Sequence, residues 1–269
     1  MANKPDILYI SHGGGPLPLL GDPAHNELVI QLTSLGKRLR RPSAIIVVSA
    51  HWEAPVAAVT SGAQPPLIYD YSGFPPESYE IQYPAPGAPG LATQVSQALS
   101  QAGLDAVQDL ERGFDHGLFV PLKLLFPEAD IPCIQLSLLT SLDPATHIAL
   151  GRALQSLEWD NLLVIGSGFS FHNMKAFFEP VTAQSDARNK AFEDWLTDTL
   201  INPALSETER SGRLVDWSTA PEARYCHPRE EHLLPLHLCY GLAQRPADEH
   251  ESIRVLGKRA GMFCWRGEH

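Results

Sequence analysis

Apolar residues along the chain form short runs that alternate with longer segments of helical periodicity. Asp6 to Ser11 and Ala44 to Ser49 are mostly apolar, which is typical of strands buried on both faces. Between them, residues 25–39 place leucine and isoleucine at helical spacing. This order indicates βαβ units. The sequence therefore predicts an α/β fold, a single domain over residues 1–269 with a central mixed, mainly parallel sheet flanked by helices.

The remaining hydrophobic patterns predict more elements of the same two kinds. Further strands are expected at residues 56–60, 131–136, 162–165, 252–256 and 262–265. Further helices are expected at residues 91–101, 118–126, 144–157, 185–200 and 229–243. No internal repeat or low-complexity tract interrupts this pattern.

Residues 62–90 have a different composition, with seven prolines interleaved with five aromatic residues. This segment is too apolar for a disordered linker. It predicts a long ordered loop, either a lid or pocket wall over a site or a surface loop packed on the core.

The charge balance restricts the classes of partner. The formal net charge is -11, so repulsion from phosphate groups argues against binding to nucleic acid or to an anionic membrane surface. The first residues, MANKPDILYI, lack the basic and long apolar regions of a secretory signal, and no apolar run approaches the length of a membrane span. The four cysteines include no CxxC pair and are expected to be buried thiols. We expect a cytoplasmic protein.

Three histidines directly follow predicted strands. His12 follows the first strand, His51 lies two residues after the second, and His172 comes shortly after the strand near residues 162–165. In open α/β sheets, ligands bind outside the carboxyl ends of the strands. The sequence therefore predicts that these three imidazoles face one pocket.

Two further segments supply candidate histidines. GFDHGLFVPL contains His116 beside an aspartate, and YCHPREEHLLPLHL contains His227, His232 and His237. Those three are five residues apart, so they would not share one face of a helix. His237 is expected in the core or on the surface of a leucine-rich helix. The others are expected to be ordinary surface histidines: His25, His147, His250 and His269.

The candidate residues favour a transition metal over other catalytic devices. HGGG is similar to an esterase oxyanion loop, but no G-x-S-x-G elbow, H-E-x-x-H, phosphate loop or dinucleotide fingerprint occurs. Neutral imidazoles suit Fe(II), Zn(II) or Cu(II) better than Mg(II) or Ca(II). Three protein ligands would leave open coordination positions, as a catalytic metal needs.

Six motifs occur in the order seen in one known family: SHGGGPLPLL, VVSAHWE, YSGFPPESYEIQYPAPG, GFDHGLFVPLKLLFPEADIPCIQLSL, GSGFSFHNM and EEHLLPL. Together they span nearly the whole chain, from about residue 6 to residue 265. The sequence resembles the class III extradiol ring-cleavage dioxygenases, in the branch similar to DOPA 4,5-dioxygenase. The resemblance implies a single α/β domain with a non-haem metal site.

The resemblance also implies roles for five histidines. His12, His51 and His232 match the metal-binding residues of this branch. His172 matches the acid/base histidine and is a candidate fourth ligand, whereas His116 matches a second histidine near the substrate and oxygen. The implied reaction opens the ring of a small catechol with O2 to a muconic semialdehyde. His172 would move the proton, His116 would stabilise charge developing on oxygen, and the aromatic loop would exclude water.

The identity of the metal stays open at this point. The protocatechuate branch of the same superfamily uses two histidines and a carboxylate, whereas here the third position is His232, preceded by Glu230 and Glu231. Three histidines also form the zinc site of carbonic anhydrase. We expect Fe(II) in the active form, and Zn(II) is an alternative occupant of the isolated protein.

Two other functions fit the same residues. One is a zinc-dependent hydrolase on this fold, and the other is a non-enzymatic binding protein like the Memo-type relatives. The substrate, the cleavage position and the oligomeric state are left open. Arg224 and Arg229 are candidates to meet a substrate carboxylate, although arginines on a solvated helix start are common.

Overall fold

The computed structural model describes residues 4–267. One eight-stranded sheet runs through these residues, and its strand order is β4-β3-β5-β2-β6-β1-β8-β7. The strands are β1 (Asp6–Ser11), β2 (Ala44–Ala54), β3 (Ala57–Thr60), β4 (Ala106–Asp109), β5 (Cys133–Leu139), β6 (Leu162–Gly168), β7 (Glu249–Val255) and β8 (Lys258–Trp265).

The centre of the sheet is parallel, and an antiparallel strand joins it on each side. Strands β5, β2, β6 and β1 run parallel to one another, whereas β8 and β7 continue the sheet in antiparallel fashion. On the other side β3 is antiparallel to β5 and parallel to β4. The sheet is therefore mixed and mainly parallel at its core, as predicted.

The described part of the chain contains nine α-helices, and two of them have only four residues. They are α1 (Asn26–Arg38), α2 (Pro89–Gln101), α3 (His116–Leu125), α4 (Pro144–Ala153), α5 (Met174–Phe177), α6 (Ala183–Ile201), α7 (Glu207–Val215), α8 (Ala223–Cys226) and α9 (Leu234–Ala243). None of the helices within residues 4–267 has the length and hydrophobicity needed to cross a membrane.

Helix α1 shows how the sequence pattern becomes packing. Leu28, Leu32 and Leu35 lie on one face and are buried against the core. Glu27 lies in the first turn, and Lys37 with its neighbour lies in the last turn, where each charge complements the helix dipole. The apolar face attaches the helix to the sheet, and the charged ends favour its boundaries.

The structure differs from the predicted elements in several places, for local reasons. Strand β2 continues through His51 to Ala54, whereas the prediction ended it at residue 49. The helix expected over residues 229–243 begins only at Leu234, because residues 230–233 form a turn. Strand β4 was not predicted, since Ala106–Asp109 is a short edge strand that is only partly buried.

The proline-rich segment before α2 is an ordered loop, as predicted. The hydroxyl of Tyr69 donates to the carbonyl of Ile81 at 2.7 Å, and that of Tyr71 donates to the carbonyl of Ser78 at 2.6 Å. Proline has no backbone N–H, so these side-chain hydrogen bonds satisfy carbonyl groups in place of the backbone hydrogen bonds of regular secondary structure. The loop is therefore held together by its own side chains.

Candidate metal centre

The carboxyl ends of β1 and β2 bring the first two predicted histidines together. His12 follows Ser11 at the end of β1, and His51 lies in the extended end of β2. Strand β6 lies between these two strands and pairs in parallel with both. The Nε2 atoms of the two imidazoles are 2.9 Å apart. Two ring nitrogens at this distance need either a shared proton or a cation between them.

A proline inside helix α3 determines which nitrogen of His12 faces the site. Pro121 has no N–H, so the carbonyl of Gly117 lacks its helical partner. The Ser167 hydroxyl donates to this carbonyl and is left to accept from Nδ1 of His12 at 3.1 Å. His12 therefore carries its proton on Nδ1 and presents the lone pair of Nε2.

His232 reaches the same place because strand β6 has a glycine there. A Cβ on Gly168 would lie 2.1 Å from the carbonyl oxygen of His232. That carbonyl accepts hydrogen bonds from the hydroxyl of Tyr9 at 2.9 Å and from the backbone N–H of Phe169 at 3.0 Å. The turn before α9 is thereby attached to β1 and to the end of β6.

One carboxylate holds both His232 and His172. Oε1 of Glu231 lies 3.0 Å from Nδ1 of His232 and 2.9 Å from Nδ1 of His172. The two imidazoles stack with ring centroids 3.4 Å apart. Each ring donates its Nδ1–H to this oxygen, so each presents a lone pair on Nε2.

The two arginines considered as carboxylate receptors already have acidic partners. Arg229 makes a bidentate ion pair with Glu53, and its guanidinium lies 3.4 Å from Glu231. Arg224 pairs with Glu230 at 2.7 Å and lies over the ring of Trp217.

His116 is the first residue of α3, and its ring centroid lies 3.9 Å from that of His51. Its Nδ1 lies 2.8 Å from Oδ1 of Asp70, which is part of the proline-rich loop. The ring of Tyr71 packs edge-on at 5.7 Å. The loop is therefore a wall of this site, as one of the two predictions for it stated.

A buried carboxylate is linked to the backbone of His51 through the hydroxyl of Ser49. Asp115 is fully buried and accepts hydrogen bonds from the Ser49 hydroxyl at 2.8 Å and from the side chains of Gln135 and Arg112. The Ser49 hydroxyl in turn accepts the backbone N–H of His51 at 3.2 Å. Burial raises the pKa of Asp115, and Ser49 and Arg112 act against this rise.

The electrostatics of the site favour the neutral form of three of its imidazoles, His12, His51 and His232. Burial, followed by the neighbouring histidines, lowers the pKa of His12 and of His51 well below the ordinary value. Burial and His172 lower the pKa of His232 to about 3. Burial alone would raise the pKa of Glu231, but its hydrogen bonds with His172 and His232 lower it. Neutral nitrogen donors beside ionised carboxylates fit a divalent transition metal.

We refer to His12, His51, His116, His172 and His232 as the histidine cluster. Within residues 4–267, two sets of potential ligand atoms lie within 4.8 Å of one another: His12 with His51 and His116, and His172 with Glu231 and His232. The predicted triad spans these two sets. Its ring centroids are 4.7, 4.9 and 5.2 Å apart. His116 lies against His51 and His172 stacks on His232, so the five predicted residues do meet in one place.

Several other histidines lie elsewhere than predicted. His25 and His147 were expected on the surface, but both are fully buried. His25 donates to Asp22 and accepts the N–H of Gly14, so it holds the glycine loop after β1. His147 accepts the N–H of Leu139 at 3.1 Å. The surface prediction is wrong for these two because each satisfies backbone groups in the interior.

The remaining histidines do not join the cluster. His237 is in the core, and His227 is fully buried and donates to the carbonyl of Ser170 at 2.7 Å. Burial lowers the pKa of His227 to about 3. His250 is half-buried and stacks on Phe263, and His269 lies outside the described residues.

Sequence reasoning missed the polar residues that orient the imidazoles. Ser167, Asp70 and Glu231 each bind an Nδ1 atom. Only Pro121 gave a usable signal, because a proline within a helical pattern predicts an unpaired carbonyl one turn earlier.

The fold and the cluster together define an α/β protein with a centre of clustered imidazoles near the carboxyl ends of its parallel strands. Comparison with known proteins identifies the class. Residues 6–265 match the family model described as the catalytic LigB subunit of aromatic ring-opening dioxygenase. The chain belongs to this family and is an aromatic ring-opening dioxygenase.

Individual relatives agree with the family. A protein of Hapsidospora irregularis named dioxygenase tasH is 42% identical over 97% of this chain and 85% of its own length. Proteins named 4,5-DOPA dioxygenase extradiol are 36% identical in Beta vulgaris, over 90% of this chain and 88% of the relative, and 33% identical in Escherichia coli K12, over 94% and 90%.

A solved structure shares the fold over its whole length. The crystal structure of the uncharacterized protein JW3007 from Escherichia coli K12 superposes with a TM-score of 0.77 at 28% sequence identity. The match covers 97% of this chain and 99% of the other. The predicted fold class is thus confirmed.

Proposed function

We propose that this protein is an extradiol dioxygenase that opens the ring of a small catechol, DOPA or another dihydroxyphenyl compound, with O2 to give a muconic semialdehyde. The observation that supports this most directly is the meeting of five histidines at the strand ends, three of them neutral by burial. The relatives named 4,5-DOPA dioxygenase extradiol support the substrate class. The four buried free cysteines are in keeping with a reducing cytoplasm.

His12, His51 and His232 are the residues that would hold the metal, with His172 as a candidate fourth ligand. Each of these imidazoles other than His51 has its Nδ1 hydrogen-bonded to a polar side chain, as ligating histidines usually do. A bound metal, Fe(II) in the active form, would supply the redox chemistry that the reaction of the ring with O2 needs. Zn(II) would fit the same donors without redox chemistry.

His172 is placed to move the proton of a ring hydroxyl. Glu231 accepts from its Nδ1, so the lone pair of Nε2 is free to take that proton. The imidazole is partly exposed, unlike its stacking partner His232, and so lies on the side from which substrate arrives. The ionised Glu231 would stabilise the imidazolium that results.

His116 and the proline-rich loop would complete the pocket. His116 lies beside His12 and His51, in the set of ligand atoms that does not include His172, and would hydrogen-bond the oxygen on which charge develops. Tyr71 and Phe74 pack against each other at 5.4 Å, and Phe74 also approaches Gly15 after β1. These rings would exclude water and stack beside an aromatic substrate.

The test is oxygen uptake by protein loaded anaerobically with Fe(II), across a panel of catechols with different side chains. We expect iron-dependent uptake and a yellow ring-opened product, and none with the Zn(II)-loaded control. Bound metal without uptake for any catechol would contradict the proposal and favour a metal-dependent reaction of another kind.

Single substitutions test the division of roles within the cluster. We expect His12→Ala, His51→Ala and His232→Ala each to abolish stoichiometric metal binding, measured by elemental analysis after gel filtration. His172→Ala should retain the metal and lower kcat about 100-fold or more, the usual contribution of a general base. Loss of metal in His172→Ala would instead make His172 a ligand.

A further inference from the structure

Asp70 is held beside the histidine cluster by the chain on both sides of it. Two residues earlier, the N–H of Ile68 donates to the carbonyl of Phe114 at 2.8 Å, and the N–H of Phe114 donates back to the carbonyl of Pro66 at 2.8 Å. One residue later, the hydroxyl of Tyr71 ties the loop to itself. The carboxylate of Asp70 is therefore carried by fixed backbone.

One oxygen of Asp70 makes two hydrogen bonds to the same residue. Oδ1 accepts the backbone N–H of His116 at 3.0 Å and lies 2.8 Å from Nδ1 of its ring. An aspartate is ordinarily ionised at neutral pH, and although burial acts to raise the pKa of Asp70, the hydrogen bonds from His116 lower it. An acceptor without a proton requires that Nδ1 of His116 be the donor.

Helix α3 is not capped by the residue that precedes it in the sequence. Asp115 precedes helix α3, but its side chain makes no cap hydrogen bond and is directed to Ser49 and Gln135. The first N–H of the helix is satisfied by Asp70, 46 residues away in the chain. The start of α3 and the orientation of the His116 ring thus depend on the same oxygen.

We propose that Asp70 is the positioning residue of His116, holding the proton of this imidazole on Nδ1 and directing Nε2 into the histidine cluster. Its effect on turnover rests on the proposed function, whereas its effect on the tautomer does not. The second oxygen of Asp70 lies 3.9 Å from Nδ1 of His51, which is too far for a hydrogen bond. Metal binding should therefore survive the loss of Asp70.

The tautomer is measured by two-bond nitrogen–proton NMR spectra of the Zn(II)-loaded protein, with the His116 signals assigned by their absence in His116→Gln. The wild type should show a protonated Nδ1 on His116. Asp70→Ala should shift the population towards the Nε2–H form, because no acceptor then holds the Nδ1 proton. An unchanged tautomer in Asp70→Ala would overturn the proposal.

Two further variants separate orientation from general damage to the loop. Asp70→Asn has the same shape, and its carbonyl oxygen can keep both hydrogen bonds without the charge, so its tautomer shift should be smaller than that of Asp70→Ala. Glu77→Gln removes a charge from an exposed side chain of the same loop and should leave the spectrum unchanged. An equal shift in all three variants would show that the loop, and not Asp70, sets the tautomer.

A kinetic cycle tests whether Asp70 acts through His116. Loss of a residue that orients an active-site histidine typically costs about 10–100-fold, so Asp70→Ala in the Fe(II)-loaded enzyme should lower kcat by this factor with little change in KM. In a His116→Gln background the same change should have no further effect. Losses that multiply would contradict the proposal. If the wild type oxidises no catechol, the proposed function fails while the tautomer measurement still decides the role of Asp70.

Discussion

At the residue scale, the histidine cluster is organised by the hydrogen bonds on its outer side. Ser167 binds Nδ1 of His12, and Glu231 binds Nδ1 of both His172 and His232. Each bond places a proton on the outer nitrogen and a lone pair on the inner one. The inner nitrogens of these three imidazoles can therefore each bind a cation without first losing a proton.

The carbonyl of His232 provides a test of how backbone position affects the metal site. Tyr9→Phe removes one of its two donors from a fully buried position, and we expect the free energy of unfolding to fall by about 1 kcal/mol. Because the same carbonyl positions a proposed ligand, Zn(II) affinity should also fall, on the order of tenfold. Chelator competition measures the affinity, and urea denaturation measures the stability.

Tyr83→Phe is the matched control for this substitution. Tyr83 is also buried, and its hydroxyl donates to the carbonyl of Phe126 at 3.1 Å, away from the cluster. It should lose similar stability with no change in Zn(II) affinity. Equal loss of affinity in both variants would show that the effect of Tyr9 is general and does not pass through His232.

At the scale of the element, helix α3 connects three parts of the site. Its first residue is His116, and the free carbonyl of Gly117 receives the hydroxyl that orients His12. The absence of a side chain at Gly117 is also required, because a Cβ there would lie 2.4 Å from Oγ of Ser49 and 3.4 Å from the ring of His51. The packing around Gly117 therefore leaves no room for a side chain at this position.

Gly117→Ala should therefore be destabilising although it is a glycine-to-alanine change within a helix. We expect a loss of about 1–3 kcal/mol from overpacking, together with weaker Zn(II) binding as His51 is displaced. Gly212→Ala is the control, since Gly212 lies in α7 and a Cβ added there would meet no atom within 4 Å apart from the adjacent residues and the backbone of its own helix. It should stabilise by about 0.5–1 kcal/mol. A neutral result for Gly117→Ala in thermal unfolding would mean that Ser49 moves aside freely.

Features that depend on residues close together in the sequence could be predicted from the sequence, whereas most features that depend on distant residues could not. Buried parallel strands and amphipathic helices carry their periodicity in the local sequence, so β1, α1 and β6 were predictable. The capping of α3 by Asp70 depends on a partner 46 residues away, which no local pattern records. Histidines at strand ends could be found because topology places those ends together.

At the scale of the whole molecule, the parallel centre of the sheet has two different ends. The carboxyl ends of β1, β2 and β6 carry the cluster, and the antiparallel strands β7 and β8 extend the sheet on one side. Helix α6 packs across β8 and places Glu193 in the interior, where Oε1 accepts the hydroxyl of Ser170 at 2.5 Å and Oε2 has no partner among the described residues. This buried acid links global stability to pH.

Burial raises the pKa of Glu193 to about 8 in the folded protein, against 4.5 for the ordinary group. Below pH 4.5 both folded and unfolded states hold the proton, so the group has no effect on stability. Between pH 4.5 and 8 the unfolded state releases the proton and the folded state retains it, so stability falls as pH rises. The contribution of this one group reaches at most about 4 kcal/mol by pH 8.

Glu193→Gln mimics the protonated acid and cannot ionise, so it should remove this dependence. The variant should match the wild type near pH 4.5 in urea unfolding and become progressively more stable than it towards pH 8, with both proteins in the same metal state. Asp194→Gln on the exposed side of α6 is the control for a change of net charge, and its difference from the wild type should vary little over the same range. A gap between Glu193→Gln and wild type that is constant with pH would mean that Glu193 is already ionised in the folded protein.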